Sequence, residues 1–374
     1  MAIFTPGLKV VEKTIVVKDR RLPLHGSVQV KVGQTIGADD IVARTELPGK
    51  IYPVNVANQL GVPASRLKAC MKKSPGDQVK EGEVIAESPG ILGLFKSQAH
   101  AIVSGTIESI SPISGEVIFQ AEPVPVEIDA YIDGQVVEVI EKEGCVIQAQ
   151  ATLVQGIFGL GGEEKGELIL AVKSPKDVLT PEMINDKMKN KIIIGGCYTT
   201  IASLKKAIAI GAKGIITGGF DYDDIKEILG KEVGVAITGG EELGLTIVVT
   251  EGFGKIDMAP ATFGLLSQYN NRQASINGAT QIRAGVIRPE VVVTHKSDNI
   301  PSTKWQAPEP EGIKIGDTVR GIRTPYFGKI GKVSALPVSL ETMESETKVR
   351  VLEVLFEDGE RAVLPRANVE SIQQ

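Results

Sequence analysis

The chain has 374 residues, 42% apolar but only 4% aromatic, with 41 glycines and a formal charge of −5 at neutral pH. That length exceeds one ordinary core, and abundant Gly, Val and Ile favour short strands and tight turns over helical bundles. The acidic balance excludes bulk coating of nucleic acid, which needs clustered Lys and Arg against the phosphates. Cys70, Cys145 and Cys197 lie far apart and form no CxxC pair, too few thiolates for a zinc or iron–sulfur site. MAIFTPGLKVVEK, at the start, has no basic segment followed by an apolar stretch, and no window nears about 18 uncharged apolar residues. A reduced, cytoplasmic, non-membrane chain of multidomain α+β class is expected.

From the start to about residue 160, short apolar runs alternate with Gly, Pro and Asp turns. VKVGQTIGADDIVAR (30–44), SPGDQVKEGEVIAES (74–88) and, with turns further apart, IDGQVVEVIEKEGCVIQA (132–149) share a strand, turn and strand form. Repetition of that unit predicts a compact β structure of hairpins. Between the last two lies HAIVSGTIESISPISGEVI (100–118), where two SG turns each introduce an alternating strand.

These motifs resemble known folds. SPGDQVKEGEVIAES followed by AIVSGTIESI is similar to the barrel-sandwich hybrid of lipoyl and biotinyl carrier domains. LPLHGSVQVKVGQTIGADDIVAR is similar to the variant in the Rnf-complex C subunit; together the resemblance spans roughly residues 20–160. In the carrier families it implies an acylated lysine at a hairpin tip. Here GLFKSQAHA places Lys96 two residues too close to the next SG turn, so lipoyl or biotin attachment there is not expected and no cofactor is assigned. An Rnf-type redox role would need clustered cysteines that the chain lacks.

From about Gly166 to His295 the pattern changes to GELILAVKS, NKIIIGGC, AKGIITGG, GVAITGG and LTIVVTEG, short continuous apolar runs that read as buried parallel strands. TTIASLKKAIAIGA (199–212) predicts a helix with hydroxyl caps, an apolar face of Ile201, Leu204, Ala207 and Ile208, and an end at Gly211. DYDDIKEILGKE (221–232) and MAPATFGLLSQYNN (258–271) predict two more, the first with acids at its start and the second with Pro260 in its first turn. This is a central α/β domain with a mainly parallel sheet. Ligands of open α/β folds sit at the carboxyl ends of the strands. Gly196, Cys197, Thr199, Thr200, Thr217, Gly218, Gly219, Thr238, Gly239 and Glu241 are therefore candidate contacts for a small anionic ligand. No GxGxxG or GxxxxGK[ST] signature accompanies them, and turn formation explains the glycines equally. Cys197 at a strand end has no histidine placed by sequence to activate it, and no catalytic or metal-ligating residue is assigned.

VTHKSDNIPSTKWQAPEPEG (293–312) is polar and carries three prolines, a linker pattern. Beyond it, alternating strands around glycine turns, with EDGE at 357–360 as a hairpin, predict a five-stranded SH3-like β barrel. GDTVRGIRTPYFGKIGKV (316–333) resembles the KOW motif of transcription elongation factors and ribosomal proteins, which implies RNA, ribosomal or RNA polymerase partners. Between Lys314 and Lys332 five basic residues stand against one acid, Asp317, and Tyr326 and Phe327 can stack on bases. Arg320, Arg323, Tyr326, Phe327, Lys329 and Lys332 are the candidate contacts. From 313 onward, however, nine Lys and Arg balance nine Asp and Glu, so the module as a whole is neutral.

The expected organisation is a barrel-sandwich hybrid at 1–163, an α/β domain at 164–298, a linker at 299–312 and a KOW-like barrel at 313–374. Three functions fit. The first is a non-enzymatic adaptor whose last barrel meets RNA, the ribosome or RNA polymerase. The others are a ligand-binding or enzymatic α/β protein with accessory β domains, and a structural homo-oligomer.

Overall fold

Strands dominate, as the composition requires, and most of them belong to one sheet. The computed structural model describes residues 8–89, 96–221, 223–224, 227, 243–280, 287–295, 313–321, 325–326, 329–337, 341–342, 348–356 and 358–373. The main sheet contains β1 (Leu8–Arg21), β2 (Gly144–Gln155), β3 (Phe158–Leu160), β4 (Glu163–Leu170), β5 (Lys191–Ile194), β6 (Gly214–Phe220) and β7 (Thr246–Phe253). It continues with β8 (Gln273–Asn277), β9 (Glu290–Thr294), β10 (Thr318–Gly321), β11 (Ile330–Ala335), β12 (Val351–Phe356), β13 (Arg361–Pro365) and β14 (Val369–Gln373). Their order across the sheet is β3-β7-β6-β5-β4-β8-β9-β2-β1-β14-β10-β11-β12-β13.

The four strands β4, β5, β6 and β7 are mutually parallel. Their neighbours β3, β8, β9, β2 and β1 run antiparallel, so the parallel core sits within a mixed sheet. Alternation then sends Ile193, Ile215, Ile247 and Val249 to one face and Ile192, Ile194, Ile216 and Val248 to the other. Helix α1 (Ile201–Ile210) covers the first face with Leu204 and Ala207, and α2 (Pro260–Gln268) covers the second with Leu266. Thr200 caps α1 by accepting from Ser203 N, and Gly211 ends it with left-handed backbone at φ 76°. Of 221–232, residues 223, 224 and 227 are helical and the others except Asp221 lie outside the described residues.

β2 ties the amino-terminal third to this sheet. Its sequence GCVIQAQATLVQ is buried almost throughout, as a strand covered on both faces requires. Strand Gly134–Ile140 pairs with its first half and β9 with its second, while β1 follows its other edge. One strand therefore serves both the amino-terminal core of Val16, Val136, Cys145 and Ile147 and the central sheet, which runs without a break past residue 163.

Residues 51–121 form a lobe with its own core, including Val56, Leu67, Ile85, Ile107, Val117 and Phe119. A two-stranded ribbon leads into it. Ile41–Leu47 pairs with Val124–Asp129, and one step further Ile51–Asn55 pairs with Glu116–Ala121. At the far end, β10 to β14 surround a separate core of Val319, Val333, Leu352, Val354, Phe356 and Leu364. β14 joins the rest through two parallel rungs with β1, Leu8 to Ile372 and Lys9 to Gln373. Among the described residues no helix is long and apolar enough to cross a membrane.

Candidate functional site

The carboxyl ends of β5, β6 and β7 do come together, but the chain itself occupies their edge. Gly195 N donates to Ile216 O at 2.8 Å and Gly218 N to Gly196 O at 2.7 Å, which carries the pairing beyond the strands. Segments 174–177 and 254–258 then lie on top. A Cβ at Gly219 would fall 1.9 Å from Gly254 O, and one at Gly218 2.5 Å from Ile256 O. Gly196 meets Asp177 O just as closely, at 2.3 Å. These glycines admit neighbouring backbone, so their sequence pattern reports close packing.

The hydroxyl and thiol candidates at this edge are engaged locally. The Thr200 hydroxyl caps α1 and contacts Ser203 Oγ at 2.8 Å. Thr217 Oγ1 donates to Gly219 O at 3.1 Å. Thr199 is buried, and its hydroxyl has no hydrogen-bond partner among the described residues. Cys197 donates from Sγ to Lys176 O at 2.9 Å, and burial raises its thiol pKa, the wrong direction for a nucleophile. Tyr198 donates to Asp224 at 3.0 Å, and burial, then Asp224, pushes its phenol up to about 12. Thr238, Gly239 and Glu241 lie outside the described residues.

Glu251, inside the TEGFG strand end, brings the second candidate region to the first. Its Oε1 accepts from Ala259 N at 3.0 Å, at the start of α2. Its Oε2 accepts from Arg320 Nη1 at 2.7 Å, and the two side chains are only 10% and 5% exposed. Arg320, the first arginine of the carboxyl-terminal basic stretch, therefore points into the molecule.

The other basic-stretch residues divide. Tyr326 stacks on the buried Phe356 with ring centroids 5.2 Å apart and planes 15° from parallel. Lys329 lies 5.6 Å from the Phe356 centroid and is held by Asp358 at 2.8 Å and Glu360 at 2.6 Å. Those acids, Asp358 first, raise its pKa and cancel its charge locally. Lys332 is exposed and shares a cross-strand row with Thr318, Leu355 and Arg361. Arg323 and Phe327 lie outside the described residues. Lys96 sits beside the rung from Ser88 N to Ser97 O and pairs with Glu87 at 2.7 Å.

Sequence reasoning missed a partly buried polar network between the amino-terminal core and the central sheet. Arg20 clamps both oxygens of Glu163 at 2.7 and 2.8 Å and donates from Nε to Asp129 O at 2.9 Å. Lys165 bridges Asp129 at 2.5 Å and Asp39 at 2.8 Å, and Lys18 pairs with Glu290. Tyr131 lies between, fully buried in left-handed backbone at φ 66°, with Lys18 and Arg20 each 5.5 Å from its ring centroid. Burial, then Glu290, holds its phenol protonated. The available signal was i, i+2 spacing: Lys18 and Arg20 share one face of β1, and Glu163 and Lys165 share one face of β4. Beside the network a cleft of about 540 Å³ is lined by Asp39, Asp133, Glu164, Lys165 and Lys213 among others. Lys165 is held by Asp39 and Asp129, Lys213 pairs with Glu164 at 2.9 Å, and Asp133 accepts from Ala38 N at 2.8 Å. Its charges answer one another, as in a structural junction. Among the described residues no group of three or more His, Cys, Asp or Glu is placed to hold a metal ion.

Compared with known families and curated proteins, the chain matches no family model and no curated sequence.

Proposed function

We propose that the protein is a non-enzymatic adaptor whose KOW-like carboxyl-terminal barrel contacts a protein partner of the ribosomal or RNA polymerase class. The observation that carries this reading is the disposition of the basic stretch. Arg320 is turned inward onto Glu251, and Lys329 is neutralised by Asp358 and Glu360. Phosphate binding draws on free cations, so the surface that remains is better suited to protein than to RNA. That surface is the row of Lys332, Leu355 and Arg361 with Val363 beside it, mixed apolar and polar in the manner of a transient interface.

The ligand-binding alternative has less support, because backbone fills the strand edge where a small molecule would sit. The test is affinity purification from the native host, with and without ribonuclease. Ribosomal or polymerase proteins should remain after ribonuclease treatment. Their loss on treatment, or their absence throughout, contradicts the proposal.

A further inference from the structure

We infer that the Arg320–Glu251 junction is an autoinhibitory latch: docked, it occupies the inward face of the carboxyl-terminal barrel, and an acidic extended segment of a protein partner displaces it. The inference rests on the adaptor reading and names the partner chemistry of the same barrel.

Three observations converge. Among the described residues the strand attachment of this barrel to the rest is short: its core is separate, its pairing with β1 has two rungs, and a buried ion pair links β10 to β7 of the central sheet. Second, a buried ion pair is a poor source of net stability, since desolvation offsets the attraction, yet loss of one partner is strongly destabilising. Such a contact holds firmly while both charges are present and opens when one is withdrawn or replaced. Third, the group now seated on Arg320 is a carboxylate carried by a β-strand, within Thr246–Phe253. An intramolecular occupant of that form defines its competitor: a glutamate or aspartate on an extended chain, delivered to the same guanidinium. Opening also releases Glu251, while segments 174–177 and 254–258 go on covering the glycine-rich strand ends beside it.

The experiment uses the full chain as wild type, Glu251→Gln, and the charge-swapped pair Glu251→Arg with Arg320→Glu. Amide hydrogen exchange is followed at Thr318–Gly321 and Thr246–Phe253. Binding is measured with a labelled twelve-residue glutamate-rich peptide and, separately, a twelve-nucleotide oligouridylate. Glu251→Gln should raise exchange in both strands at least about tenfold and tighten peptide binding at least about fivefold, and the charge swap should restore wild-type exchange. Far-ultraviolet circular dichroism establishes that each variant is folded. The charge swap keeps the test decisive where Glu251→Gln alone disrupts the sheet: a folded swap that exchanges as slowly as wild type supports the latch. Unchanged exchange in Glu251→Gln overturns it. Raised exchange without tighter peptide binding overturns the occluded face, and tighter binding of the oligouridylate alone overturns the acidic peptide. Ribosomal or polymerase partners missing from the host purification, with the exchange result intact, count against the adaptor reading rather than the latch.

Discussion

The lobe of residues 51–121 leaves the molecule through two successive antiparallel strand pairings, whereas among the described residues the carboxyl-terminal strands are joined by two rungs and one buried ion pair. Both regions enclose their own cores. The difference lies in what must break for each to separate. The lobe is anchored by two antiparallel strand pairings of five and six residue pairs, so it stays in place even when its interior loosens. Among the described residues the carboxyl-terminal region is joined by those two rungs and one side-chain pair, so loss of one charge should weaken its docking.

That contrast can be tested in order of effect. Phe119→Ala, at a position with no exposed surface, should cost the lobe about 3–5 kcal/mol and split calorimetric melting into an early lobe transition and an unchanged main one. A single transition moving as a whole would show that the lobe is not independent. Glu251→Gln should destabilise docking of the carboxyl-terminal region by up to about 3–5 kcal/mol while leaving the lobe transition where it is. Gly219→Ala should lower the main melting transition by about 1–3 kcal/mol, because its Cβ has to displace the Gly254 carbonyl. Wild-type stability in that variant would reopen the edge to a ligand.

The smallest effect is acid sensitivity of the lobe. Lys72, then Lys96, holds the Glu87 carboxyl down at about 2 against an ordinary value of 4.5. A depressed carboxylate contributes stability above its unfolded pKa and loses it as pH falls towards the folded one. The lobe transition should thus drop slightly between about pH 4.5 and pH 2, and Glu87→Gln should remove that part of the slope.

Local features were legible because their causes are local. Thr200 and Gly211 bound α1, Pro260 opens α2, and the DG turn sets the β12–β13 hairpin with Gly359 at φ 86°. The apolar runs of β5 to β7 announced strands buried on both faces. What escaped is pairing at a distance. Glu251 and Arg320 lie 69 positions apart, and neither charge carries a spacing that names the other. The long β2 looked like the end of a hairpin, because the strand β9 that covers its second half comes more than a hundred residues later. At the glycine-rich edge, the same residues that admit a ligand also admit backbone, and only the folded path of 254–258 distinguishes them.

A double-mutant cycle of Glu251→Gln and Arg320→Gln, read by hydrogen exchange of Thr246–Phe253, tests the central claim most directly. The two regions marked by the sequence close on each other, so the substitutions should be coupled by about 1 kcal/mol or more, the double variant exchanging little faster than either single one. Additive effects, or no effect from either substitution, would contradict it.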